Sequence, residues 1–186
     1  MRIVLAVLLL VGLSSCQTKK GIDPSKHPII TRVSELAEYF NLNIDCSEQL
    51  EETSITKFFD GSKSIDYSYE LLDSEEYLPL VYSITIDIER TIKDAKETYT
   101  IGKGALAIGG KISGQGAIEI DSLNLQGDDT YYALRTYGDE PNGHFYMLRK
   151  GRRVYTLIIS GVYTSDHSLL TELILPKVEK LETVEL

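Results

Sequence analysis

The hydrophobic pattern changes period repeatedly along the chain, and each change marks an element. An apolar run over residues 3–13 comes first, preceded by a single charge, Arg2. Crossing a bilayer core takes about twenty helical residues, so this run has the length of a secretion signal and not of a span. Residues 16–31 hold few apolar groups and several turn formers, among them Asp23-Pro24 and His27-Pro28, and read as a tether. Val33, Leu36, Ala37 and Phe40 then recur at helical spacing after Arg32, which predicts a short amphipathic helix. Residues 41–59 show no clear period. Leu50, Ile55, Phe58 and Phe59 fit a second helix or an irregular segment that pins the entry to the core.

Beyond the turn at Asp60-Gly61 the period becomes two. Ile65, Tyr67, Tyr69 and Leu71 alternate with Asp66, Ser68 and Glu70; after the acidic loop over residues 73–79, Tyr82, Ile84, Ile86 and Ile88 alternate with Ser83, Thr85, Asp87 and Glu89. Two strands with one apolar and one polar face are predicted. From Thr91 the period is helical again, with Ile92, Ala95, Tyr99, Gly102 and Leu106 on a face that lies on the sheet. Gly102 and Gly104 each cost a helix about 1 kcal/mol against Ala. Either the helix ends near Ile101 or the glycines permit close contact with a strand, and the run over residues 102–116 reads as a helix terminus plus a loop. Four strands follow over residues 117–125, 130–137, 144–150 and 152–161, the first with a phase slip at Asp121-Ser122. Their short connections make them an antiparallel meander. Leu169, Leu170, Leu173, Ile174, Val178 and Leu181 form a closing helix that starts at Ser165-Asp166 and is kinked or divided at Pro176. The expected fold is α+β: an antiparallel sheet of about six strands packed between helices, as an α/β/α sandwich, in one domain over residues 32–186.

Composition narrows the function. With 42% hydrophobic and 25% charged residues the chain is globular, and a net charge of −9 gives it no overall attraction for nucleic acid or anionic lipid. Arg149, Lys150, Arg152 and Arg153 gather around Gly151 as the dense basic cluster of an acidic chain, either a solvated hairpin end or a docking point for an acidic or phosphate-bearing partner. His27, His144 and His167 lie far apart and Cys46 is isolated, so no metal-ligand spacing exists. Asp128-Asp129 lacks the spacing of a calcium loop, and the glycine run matches neither a P-loop nor a dinucleotide fingerprint. Ser165-Asp166-His167-Ser168 holds triad residue types, but neighbours at a helix start cannot align as nucleophile, base and orienter. Glu51-Glu52 and Glu75-Glu76 are adjacent carboxylates with no sign of burial. No catalytic residue, metal or cofactor is expected.

Two resemblances add to this. Leu13-Ser14-Ser15-Cys16 resembles the lipobox of bacterial lipoproteins, which implies removal of residues 1–15 and acylation of Cys16 as the lipid-attachment site. Two or three acyl chains make a stable anchor, so the membrane is the first expected partner. Gln17, where an Asp would resemble an inner-membrane retention signal, implies the outer membrane, and Gln17-Thr18-Lys19-Lys20-Gly21, which lacks the acidic cluster that resembles a surface-export signal, implies a periplasm-facing position. The order strand, strand, helix, meander, helix resembles the PsbP-like oxygen-evolving-complex proteins and the Mog family. The nearest local likeness is Asp129-Thr130-Tyr131-Tyr132 with Gly151-Arg152-Arg153-Val154-Tyr155-Thr156-Leu157. That likeness implies binding or assembly. The expected function is a non-catalytic envelope factor with a protein partner. The alternative is a small-ligand carrier whose pocket, between the Tyr-rich sheet face and the helix from Thr91, is lined by Tyr82, Tyr99 and Tyr132; a third is a hydrolase using His144 or His167 beside a Ser or carboxylate.

Overall fold

The structure, a computed structural model, describes residues 17–47, 50–71, 80–112, 115–120, 127–165 and 168–185. These form a mixed α+β fold on one antiparallel sheet of eight strands. β1 (Gln17–Lys20) leads through α1 (Val33–Phe40) into β2 (Glu51–Lys57), β3 (Lys63–Leu71) and β4 (Leu80–Ile88), which step from one edge to the middle. α2 (Ile92–Ile112) carries the chain to the other edge. From there β5 (Gln115–Glu119), β6 (Asp129–Tyr137), β7 (Glu140–Lys150) and β8 (Arg153–Ser160) step back until β8 pairs with β4. The strand order is β1-β2-β3-β4-β8-β7-β6-β5.

The period-two pattern of β3 and β4 builds the main core. Ile65, Tyr67, Tyr69, Tyr82, Ile84 and Ile86 turn to one face, where Tyr146, Tyr155, Leu157 and Ile159 join them. Val33 and Leu36 of α1 cover that face together with Leu169, Ile174, Val178 and Leu181 from the C-terminal segment. On the opposite face Ala95 and Tyr99 of α2 pack on Tyr131, Ala133, Phe145, Met147 and Val154 in a second core. α2 lies against β5, β7 and β8. The polar side of β3 and β4, including Ser64, Asp66, Ser83, Thr85 and Asp87, continues that face beyond it.

The sheet has eight strands, not the six expected, because β1 and β2 carry no alternation to read. β1 is four exposed polar residues on the sheet edge. β2 turns Glu51, Thr53 and Ile55 toward the Tyr67 side, so a charge and a hydroxyl occupy positions where an apolar repeat would show. Phe58 and Phe59, expected to help close the core, sit in the β2–β3 turn and are 44% and 86% exposed. The segment expected as a tether is folded from Gln17 onward. After β1 it makes a 3₁₀ turn, Pro24–Lys26, whose start is capped by Asp23 accepting from the Ser25 N–H at 3.0 Å. It then buries Ile29, Ile30 and Thr31.

α2 also runs past its expected end. At Gly102 a Cβ would lie 2.6 Å from the Met147 Cε, so glycine here lets the helix approach β7. The C-terminal helix is divided as expected. A π-helical turn, Leu169–Ile174, precedes α3 (Leu175–Val178), which holds Pro176 in its first turn, and a 3₁₀ turn, Leu181–Thr183, follows. The phase slip expected at Asp121-Ser122 and the loop over residues 73–79 lie outside the described residues.

Candidate functional site

Two adjoining hollows flank β1. The larger, about 530 Å³, is bounded by residues 21–25 with Arg32, Glu51, Glu52 and Thr53. The smaller, about 430 Å³, is bounded by Gln17, Thr18, Lys19, Ile22, Ile55 and Lys57. Ile22 belongs to both, and its N–H donates to the Thr53 carbonyl at 3.2 Å, which fixes the wall between them.

The floor of the larger hollow is a chain of paired polar groups. Strand alternation sends Glu51 inward and Glu52 outward, so the first side chain is 4% exposed and the second 58%. The expectation that these neighbours are both unburied is therefore corrected for Glu51. Arg32 forks onto Glu51, with Nη2 donating to Oε1 at 2.9 Å and Nε to Oε2 at 3.2 Å. The Tyr67 hydroxyl donates to the same Oε2 at 3.0 Å and accepts from the Val33 N–H at 2.7 Å. Burial pushes the Tyr67 hydroxyl far above its ordinary range, so it stays protonated. The Arg32 N–H in turn donates to Glu35 Oε1 at 3.0 Å, and Lys177 clamps Glu35 from the C-terminal segment at 2.7 and 2.6 Å. The floor thus ties the first strands, α1 and α3 together, with its central charges already neutralised. At the rim, Lys20 reaches Glu52 at 2.7 Å.

The walls of the larger hollow offer backbone groups and a fixed, neutralised fork, and β1 beside it is a sheet edge able to receive an extended segment. The carboxyl most displaced from its ordinary value, Asp87, is on the other face of the sheet.

The structure distributes the residues singled out from the sequence. Cys16 lies outside the described residues, and Gln17, its covalent neighbour, opens β1. Cys46 is a half-buried free thiol whose pKa is raised by burial and by Glu51 and Asp45. Tyr82 and Tyr132 belong to the main core and Tyr99 to the second, on opposite sides of the sheet, so they do not line one pocket. The Tyr82 hydroxyl donates to the Thr31 carbonyl at 2.7 Å. His144 is buried, its Nδ1 2.9 Å from the Tyr132 hydroxyl, while Nε2 accepts from the Thr164 N–H at 3.2 Å, which places its proton on Nδ1. His167 lies outside the described residues.

The basic cluster is drawn into the fold. Arg149, 3% exposed, donates to Asp129 Oδ2 at 2.5 Å, to Asp128 Oδ2 at 2.8 Å and to the Gly151 carbonyl at 3.1 Å. Lys150 pairs with Glu182, Arg152 donates to the Glu89 and Arg90 carbonyls, and Arg153 to the Val184 carbonyl. Sequence reading missed Arg32, Glu51 and Tyr67 as one group. The one available signal was an inward charge at Glu51, visible only once β2 is known to be a strand.

No protein-family model, curated protein or solved structure matches the chain. Among the described residues no helix is long and apolar enough to cross a membrane, and no group of three His, Cys, Asp or Glu is placed to hold a metal.

Proposed function

We propose that this chain is a lipid-anchored extracytoplasmic binding or assembly factor, held through acyl chains on Cys16, in the outer membrane and facing the periplasm. The observation that carries the reading is the junction itself. A lipobox-like Leu13-Ser14-Ser15-Cys16 is followed, with no intervening linker, by a strand locked into the sheet beside an open cleft. The neutralised Arg32–Glu51 floor supports recognition of a protein partner over catalysis. The element order that resembles the PsbP-like and Mog proteins supports the same side.

Anchoring is tested by acyl labelling and membrane fractionation of the Cys16→Ala variant. Label and membrane retention should both disappear, and unchanged labelling refutes the anchor. For the partner, a photocrosslinking residue at Glu52, on the cleft rim, should give one discrete protein adduct in intact cells. The same residue at Tyr137, the last residue of β6 at the remote β6–β7 hairpin, should not. Equal adducts from both positions would remove the cleft from the reading.

A further inference from the structure

The cross-strand register lines up one end of the sheet. Gln17 stands opposite Lys57, Lys57 opposite Lys63, Lys63 opposite Ile88, Ile88 opposite Arg153 and Arg153 opposite Lys150. The loops leaving this row are the β2–β3 turn, the β4–α2 connection and the β7–β8 turn at Gly151. They carry Phe58, Phe59 and Ile92, which are 44%, 86% and 53% exposed. Lys57, Arg90, Lys93 and Arg152 are exposed around them, in a chain whose net charge is −9. The acids at this end are engaged within the fold: Asp60 by the Ser62 hydroxyl at 2.7 Å and N–H at 2.9 Å, Glu89 by the Thr98 hydroxyl at 2.6 Å, Asp128 by Arg149 and the Gly151 N–H, and Glu182 by Lys150.

We infer that this end, with the Phe58-Phe59 turn at its centre, is a bilayer-docking face that inserts into the interface of an anionic lipid surface. The inference rests on the proposed acylation of Cys16. One residue advances the chain by at most about 3.6 Å. Gln17 is held in register beside Lys57, so acyl chains on the preceding residue would leave the molecule no farther than about one strand spacing plus one residue from Lys57, where the Phe58-Phe59 turn begins. Without a spacer, the anchor brings this end, and no other, against the headgroups. Aromatic side chains ringed by Lys and Arg are the chemistry that interface accepts, and cations near an anionic leaflet are attracted to it. Two aromatic side chains and Ile92 left open to water at this end are thereby explained: the lipid covers them.

The chain contains no Trp, so Phe59→Trp gives a single reporter at a position that is 86% exposed. The full-length chain, matured in cells and purified in detergent, is reconstituted into vesicles of phosphatidylethanolamine and phosphatidylglycerol, with and without brominated acyl chains. Its mass is measured first to read acylation. With the acyl mass present, Phe59→Trp should emit to the blue of its detergent spectrum and lose at least about half its intensity to brominated lipid. Tyr137→Trp, at the other end of β6, should do neither. Three results overturn the docking face alone: no quenching at residue 59, equal quenching at residues 59 and 137, or a blue shift without quenching, which would mean that protein covers the turn. Absence of the acyl mass would instead overturn the anchoring reading, and the docking face with it.

Discussion

Asp87 shows how one side chain can set a pH response far from any cleft. It lies on the polar side of β4, opposite Ser64 of β3. Burial pushes its carboxyl up to about 6; a hydrogen bond from Ser64 pulls the other way, and the charges of Glu89 and Asp66 add to the rise. The folded state therefore holds this proton more tightly than the unfolded chain does. Its contribution to stability is complete below the ordinary carboxylate range and is lost as pH climbs through about 6. Asp87→Asn cannot ionise and should be more stable than the parent at pH 7 by about 2 kcal/mol, with the difference vanishing near pH 4. Urea melts at the two pH values measure it, and an equal difference at both would mean that the carboxyl is not the cause. Close approaches act at the same scale: at Gly143 a Cβ would lie 2.0 Å from the Ile159 carbonyl, so only glycine lets β7 and β8 pair there.

At the scale of elements, the four basic residues flanking Gly151 prove to be structural ties. Arg149 links the start of β6 to the β7–β8 turn, and the Gly151 N–H donates to Asp128 at 2.9 Å to close the same turn. That bond is the first cause that keeps the Asp128 carboxyl below its ordinary value. Arg149→Ala removes a buried stem and three hydrogen bonds while leaving both aspartates in water, and should cost about 2 kcal/mol. Arg149→Lys, which cannot fork, should recover only part of it, as chemical denaturation would show; full recovery would reduce the tie to a point charge. Elements that pair an apolar face with a regular period were legible from sequence, as Tyr67, Tyr69, Ile84 and Ile86 show. β1 and β2 were not, because a polar edge strand has no period and Glu51 breaks that of its neighbour. Gly102 posed a choice that only the Met147 contact resolves. The cleft was illegible for a related reason: Arg32, Glu51 and Tyr67 are brought together by register and not by spacing.

For the whole molecule, the proposed anchor at Cys16 would fix orientation, because β1 begins at the next residue. Inserting about ten Gly and Ser residues between Cys16 and Gln17 would give a reach on the order of 17 Å. The melting behaviour should stay unchanged, since β1 still pairs with β2, while quenching of Phe59→Trp by brominated lipid should fall. Undiminished quenching would show that the aromatic turn docks by itself, with the anchor serving only as a leash. β1 has a mechanical consequence as well. Under the proposed anchoring, a load that drags the protein away from its lipid would enter at Gln17 and run along the strand, across the Gln17, Thr18, Lys19 and Lys20 pairs with β2. Those pairs bear it together in shear instead of opening one after another, so the shortest strand of the sheet becomes the grip by which the whole domain resists being torn from its surface.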